Sequence, residues 1–166
     1  MGYDTAFYGR FAVTPALKPE HLAYLTAFAE TRHVSHNPGQ LATVADPVRE
    51  AVKLPLGPEG MFFVGKLENA DLRGREECTR LPGLYCHWVP TGDGRGIEWD
   101  GTEKFDNYVE WMRFQLNTFL LPWGYSVSGT VEWQGDEPRD RGQITVKAGS
   151  CESEGLPIDL EEFDEP

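Results

Sequence analysis

The sequence predicts an α+β fold, in which an antiparallel sheet of about five strands carries two long helices on one face. Short stretches alternate with period two between turn residues, and two longer stretches keep a 3.6-residue apolar period. Their order along the chain is strand, helix, irregular insert, strand, strand, helix, strand, strand. That order resembles a ferredoxin-like β-α-β-β-α-β frame with one added strand.

The N-terminal segment supplies the first strand and the first helix. TAFYGRFAVTP (5–15) alternates Phe7, Phe11 and Val13 with outward positions and ends at a proline. KPEHLAYLTAFAETRH (18–33) begins with a proline suited to a first helical turn. Its apolar residues fall on one stripe, which predicts a helix of about four turns.

Residues 34–83 form an irregular insert that holds five of the twelve prolines. Asp46 and Pro47 predict the cap and first position of a short helix that runs to Lys53. MFFV (61–64) is consistent with a short strand or with a plug under the core. A segment this irregular inside one domain is often the part that varies in function.

Two hairpins follow the insert. LYCHWVP (84–90) and GIEWDG (96–101) flank a turn that contains Asp-Gly, a strong hairpin signal. SVSGTVEWQG (126–135) and GQITVKAG (142–149) form the second pair, across a polar loop.

The second helix lies between these hairpins, in EKFDNYVEWMRFQLNTFL (103–120). Thr102 is placed to cap its start, and Pro122 and Gly124 end it. Trp111 falls beside the main apolar stripe, and we interpret it as a core residue at the stripe's edge.

The five-residue cadence IEWDG (97–101) recurs as VEWQG (131–135). In an extended strand each copy directs a tryptophan to one face and the preceding glutamate to the other. We therefore expect Trp99 and Trp133 to be buried under the helices, with Glu98 and Glu132 facing solvent. Truncating either tryptophan to alanine is then expected to cost about 3–5 kcal/mol.

Length and charge define the domain organisation. At 166 residues the chain has the size of a single domain, which we place at residues 1–151. Its 27 acidic and 15 basic residues give a net charge of −12. Residues 152–166 carry seven of the acids and no base, and we expect them to form a flexible acidic tail.

Composition also disfavours several classes of protein. No basic footprint suited to a phosphate backbone is present, so direct nucleic-acid binding is not expected. No apolar run reaches the length of a membrane span and the N-terminus lacks the pattern of a secretion signal, so we expect a cytoplasmic protein without membrane contact.

Several segments are similar to a set of bacterial and phage proteins that have no assigned activity: PGLYCHWVP, IEWDGTEKFDNYVEWMRF, LLPWGY, VEWQGDEPRDRGQITV and the N-terminal YDTAFYGRFAVTPALKPEHLAYLTAF. The resemblance covers roughly residues 2–33 and 82–146. It implies a shared fold and a bacterial or phage origin, and it carries over no functional residue.

Metal and cysteine chemistry are weakly indicated. Cys86 and His87 are neighbours in a predicted strand, so they point to opposite faces and cannot chelate one ion together. The histidines at 33 and 36 and the three cysteines do not match zinc-ligand spacing. A cysteine nucleophile at position 86 is possible in principle, but a small apolar residue in an aromatic strand is more often packing. No cofactor, metal site or catalytic residue is predicted.

The candidate binding residues lie on the sheet face opposite the helices and in the tail. On the open face these are Tyr8, Arg10, His87, Glu98, Glu132 and Lys147. In the tail they are Leu160 and Phe163, which are large apolar groups among carboxylates.

Two functions remain open. The first is a noncatalytic module that binds another protein, including an inhibitor that presents carboxylates where nucleic-acid phosphates would sit. The alternative is a small enzyme that uses Glu98, Glu132 and nearby carboxylates, with a divalent metal. Oligomeric state is not indicated.

Overall fold

The computed structural model describes residues 4–74, 76–147 and 150–155. It is a mixed helix and strand structure built on a seven-stranded antiparallel sheet, which confirms the predicted class but has more strands than expected. The strands are β1 (Thr5–Tyr8), β2 (Phe11–Thr14), β3 (Trp88–Pro90), β4 (Gly96–Trp99), β5 (Ser126–Gly135), β6 (Arg141–Lys147) and β7 (Ser150–Gly155).

The sheet has the strand order β3-β4-β2-β5-β6-β7, and β1 also pairs with β5. Part of the extra strand count comes from the first predicted strand, which is divided into β1 and β2. Tyr8 lies opposite Glu132, and Ala12 lies opposite Ser128, so the register advances four residues on both strands. The two pieces therefore behave as one strand that is interrupted around Gly9, where φ is +101°.

The helices are α1 (Pro19–Glu30), α2 (Pro38–Leu41), α3 (Pro47–Ala51) and α4 (Tyr108–Gln115), and α4 continues as a π-helical turn, Leu116–Leu120. Single 3₁₀ turns occupy Pro58–Gly60 and Ala70–Leu72. Within the described segments, no helix combines the length and apolar character that crossing a bilayer would require.

The start of α4 corrects the predicted cap at Thr102. The helix begins at Tyr108, because Lys104 and Asn107 have φ values of +61° and +57°, which a right-handed helix does not contain. The Thr102 amide instead donates to the Asp100 carboxylate at 2.8 Å, which closes a local turn.

One continuous core lies between the sheet and the helices. Alternate strand residues point into it, including Phe7, Phe11 and Val13, as the period-two pattern predicted. The two long helices meet through Phe28 of α1, whose ring lies 5.9 Å from that of Trp111. Trp111 is completely buried, so its interpretation as a core residue is confirmed.

The prediction for the other tryptophans was only partly right. Glu98 and Glu132 are exposed, but Trp99 and Trp133 are half-buried at the margin of the core. Each stands near the end of its strand, and the centre is filled by Trp88, which is fully buried. The prediction of which face of the sheet each residue occupies was therefore correct, but the prediction that Trp99 and Trp133 are fully buried was wrong.

The C-terminal strand extends beyond the predicted domain boundary at residue 151. Residues 142–147 of β6 pair in continuous register with residues 150–155 of β7. The first four residues of the segment that was expected to be a flexible tail (152–166) are thus part of the sheet. The remainder of that segment, with Leu160 and Phe163, lies outside the described residues.

The insert covers one end of the core without adding a strand to the sheet. Residues 61–64 form no strand, and Phe63 is buried while its neighbours pack against the core. The Tyr24 hydroxyl donates to the carbonyl of Phe62 at 2.9 Å, which ties α1 to the insert. The helix predicted at Asp46 is present as α3, but the Asp46 carboxylate pairs with Arg49 at 2.7 Å instead of capping the helix.

Candidate binding face

Five of the six predicted sheet residues lie together on the open face. Tyr8, Arg10, Glu98, Glu132 and Lys147 are all exposed, and strand alternation points each of them away from the helices. None of the described helices packs on this side. Antiparallel sheets commonly leave one face in water, so an uncovered face does not by itself indicate a binding site.

His87 does not belong with these five residues. Its imidazole is largely buried just before the start of β3, and its Nδ1 lies 2.9 Å from an Asp100 carboxylate oxygen. The ring also meets Phe105 edge-on, with centroids 5.1 Å apart. His87 lines a separate recess near the start of α4, because the chain enters β3 only at the next residue.

Cross-strand register organises the open face into rows. The first row runs from β1 to β7 through Tyr8, Glu132, Gln143 and Glu154. The second, shorter row runs from β5 to β7 through Thr130, Thr145 and Glu152. Each row ends on a glutamate of β7, so the strand that was not predicted adds two carboxylates to this face.

Tyr8 is the most exposed large apolar side chain in the described part of the protein, at 59%. Its neighbours toward β2 and the far end of β5 are small: Ala12 pairs with Ser128 and with Gly96. The face therefore presents one exposed aromatic ring between a charged region and a strip of short side chains formed by Ala12, Ser128 and Gly96. Small residues lose little conformational entropy when a partner covers them.

The two glutamates of the IEWDG and VEWQG cadence do not converge. Glu132 lies opposite Tyr8 on β1, whereas extension of the β2–β4 register places Glu98 opposite Arg10. The path between them crosses two interstrand spacings and two residues along a strand, which places their Cα atoms roughly 12 Å apart. Among the described residues, no three histidine, cysteine or acidic side chains are grouped as metal ligands would be.

The cysteines are arranged as packing groups. Cys78, Cys86 and Cys151 are all free and buried. Burial raises the pKa of the Cys86 thiol, and it raises the pKa of Cys151 to about 11. Both thiols are therefore protonated at neutral pH, whereas a cysteine nucleophile acts as the thiolate.

His33 is also a structural residue. Its ring stacks obliquely on Phe28 at 4.2 Å, and its Nε2 donates to the Phe28 carbonyl at 2.9 Å. Burial lowers the pKa of His33 to about 4, so the ring is neutral at pH 7. His36 is fixed separately, by a hydrogen bond between its Nδ1 and the Leu72 carbonyl at 2.9 Å.

Sequence reasoning missed two recesses that the insert forms. One, of about 570 Å³, lies against the end of α1 and is lined by Arg32, Lys66 and Arg73 together with Glu30. A second, of about 550 Å³, shares the wall Val64–Leu67 with it. The insert has no periodicity, so the sequence carried no signal for which of its residues would meet.

Comparisons of the chain with protein-family models, with curated proteins and with solved structures found no match in any of the three.

Proposed function

We propose that this protein is a noncatalytic binding module whose partner is another protein, and that the partner docks on the open face of the sheet. The observation that carries the proposal is Tyr8, an aromatic side chain 59% exposed between charged groups and a strip of short side chains. Tyrosine and arginine are enriched among residues that dominate binding energy, and Arg10 follows on the same face.

Charge supports a partner with a basic rim. The chain carries −12 overall, and Glu98, Glu132, Glu152 and Glu154 are exposed on the open face. Such carboxylates mainly steer association and fix its orientation, while the buried aromatic contact supplies most of the affinity. Binding is accordingly expected to weaken as salt rises.

A more specific version is an inhibitor of bacterial or phage origin that acts in the cytoplasm. In that version the glutamates on β7 and the open face take the places of nucleic-acid phosphates, and the partner is a nucleic-acid-binding protein. The excess of acidic over basic residues supports it. An oligonucleotide should then compete with the protein for its partner.

We also propose that the sheet contains a ferredoxin-like frame. The support is the strand order: the interrupted first strand lies between β4 and β5, and β3 lies outside β4. In this interpretation β6 and β7 extend the frame at the β5 edge. The enzyme alternative has less support, because Glu98 and Glu132 are not opposite each other and neither belongs to a group of three possible metal ligands among the described residues.

The experiment is site-specific photo-crosslinking. A benzophenone amino acid placed at position 8 should crosslink one specific protein in a bacterial lysate, and the purified pair should then bind directly. The control position is Leu121, which is also exposed but directly follows the π-helical turn Leu116–Leu120 and therefore belongs to the helical layer. Equal crosslinking from both positions, or a captured protein that does not bind when purified, would argue against the open face.

A further inference from the structure

A small recess lies beside the start of α4, and it is separate from the open face. Its volume is about 260 Å³. Its walls come from residues 82–87, just before β3, and residues 104–111, which lead into α4. This volume is slightly below the roughly 300–1,000 Å³ of drug-sized ligand sites, so any occupant is small.

The floor of the recess contains a hydrogen-bond donor that lacks an acceptor. Trp111 is completely buried, and among the described residues its indole Nε1 has no partner. Three other indoles do have one: Trp88 donates to the Tyr108 carbonyl, Trp99 to a backbone carbonyl and Trp133 to a serine hydroxyl. A buried indole N–H normally finds an acceptor, so the exception at Trp111 requires an explanation.

A gap beside Gly83 lies next to this donor. The point that a Cβ of Gly83 would occupy is 3.4 Å from Trp111 Nε1 and 4.0 Å from Asn107 Nδ2. Apart from the chain neighbours of Gly83, no other described atom comes within 4 Å of it. Asn107 uses one amide hydrogen to donate to the Pro82 carbonyl at 2.6 Å, and a carboxamide has two. Two N–H donors therefore border the same unfilled space.

The remaining walls indicate what kind of molecule would bring the acceptor. The rings of Tyr85 and His87 stack with an interplanar angle of 24°, which offers a flat aromatic surface. Lys104, Glu77 and Asp106 are all exposed at the rim. Their two negative charges against one positive disfavour multiply charged anions such as phosphates, whereas a single carboxylate keeps that repulsion small and gives the two N–H donors a charge-assisted acceptor.

We propose that this recess binds a small aromatic monocarboxylate. One carboxylate oxygen accepts from Trp111 Nε1 and Asn107 Nδ2, and the ring packs on Tyr85 and His87. The inference does not depend on protein binding at the open face, since the structure places none of the recess residues on that face.

The test is an NMR titration of the full chain labelled with ¹⁵N-tryptophan, with benzoate as the probe. The Trp111 indole resonance is assigned from the Trp111→Phe variant. Benzoate should move that resonance downfield in a saturable way and leave the other four indole resonances in place. Acetate, which lacks the ring, and benzamide, which lacks the charge, should each bind at least tenfold more weakly.

Gly83→Ala is the decisive variant, because its methyl group would fill the gap at an ordinary contact distance. It should abolish the benzoate response, and Asn107→Ala should weaken it about tenfold. Gly92→Ala is the matched control, since a Cβ there meets nothing within 4 Å. Amide spectra of each variant report whether it is folded.

Three results would overturn the proposal. These are no saturable shift of the Trp111 indole with benzoate, an unchanged affinity in a folded Gly83→Ala variant, and benzamide binding as tightly as benzoate. The last result would leave a site for a hydrogen-bond acceptor but would exclude a preference for a carboxylate.

Discussion

Trp88 is expected to be the most important of the strand tryptophans for stability, and this prediction separates the observed core from the one expected from sequence. Its side chain is 0% exposed and meets Phe7, Phe11 and Phe105 edge-on, with centroids 5.2–5.5 Å apart. Its indole also donates to the Tyr108 carbonyl at 2.8 Å, which links β3 to the start of α4.

The magnitude follows from these contacts. Truncating a fully buried tryptophan to alanine costs about 3–5 kcal/mol. About 1 kcal/mol of this belongs to the hydrogen bond, which a Trp88→Phe variant would remove with a smaller loss of packing. Trp99 is half-buried at the margin, so Trp99→Ala should cost roughly half as much as Trp88→Ala.

The assay is urea unfolding followed by far-UV circular dichroism, because both substitutions remove a fluorophore. With a urea dependence of about 2 kcal/mol per molar, Trp88→Ala should lower the midpoint by roughly 2 M and Trp99→Ala by about half of that. If Trp99→Ala were as destabilising as Trp88→Ala, or more so, the assignment of the core centre would be refuted.

Three further predictions concern protonation, packing and the last strand. The pKa of His33 is about 4 when folded and near 6.5 when unfolded, so protonation favours the unfolded chain as pH falls between these values. Wild type should therefore lose about 3 kcal/mol relative to His33→Gln between pH 7 and pH 4, and a constant difference in urea unfolding would contradict the assignment. Gly142→Ala forces a methyl group against a β7 carbonyl and the indole packed over this glycine, so it should cost about 1–3 kcal/mol more than Gly92→Ala, and equal costs in urea unfolding would count against the packing described. Deleting 151–166 should lower the thermal midpoint more than deleting 156–166, because only the longer deletion removes the strand paired with β6; equal midpoints would show that β7 does not stabilise the sheet.

The regular part of the fold could be predicted from sequence because its physics is local. Period-two alternation identified both hairpins, and the 3.6-residue period identified the two long helices. Proline and glycine after Leu120 located the end of the second helix, but its start was misplaced by several residues. The left-handed conformations of Lys104 and Asn107 caused that error, and no residue type signals them reliably.

The central tryptophan and the seventh strand were missed for different reasons. Burial of Trp88 depends on where the helices lie over the sheet, which is a tertiary property that strand alternation does not determine. In SCESEG the alternation of Cys151, Glu152, Ser153 and Glu154 was not recognised, because the acidic composition of residues 152–166 alone decided the prediction.

The candidate site shows the same division. Exposure of Tyr8, Arg10, Glu98 and Glu132 followed from strand phase. The cross-strand rows required the register, and the recess at Trp111 required contacts such as that of Asn107 with Pro82, which are 25 residues apart. Contacts between residues that are far apart in the chain produce no periodic pattern in a single sequence.

The measurement that tests the central claim most directly is a calorimetric titration of the purified crosslinked partner with wild type, Tyr8→Phe, Tyr8→Ala and Leu121→Ala. If the open face is the docking surface, Tyr8→Ala should weaken binding about 30-fold or more, as expected for an interface residue worth at least 2 kcal/mol. Tyr8→Phe should retain most of the affinity because it keeps the ring, and Leu121→Ala should match wild type. Equal affinities for wild type and a folded Tyr8→Ala variant would contradict the account, because they would remove from the interface the one residue on which the proposal rests.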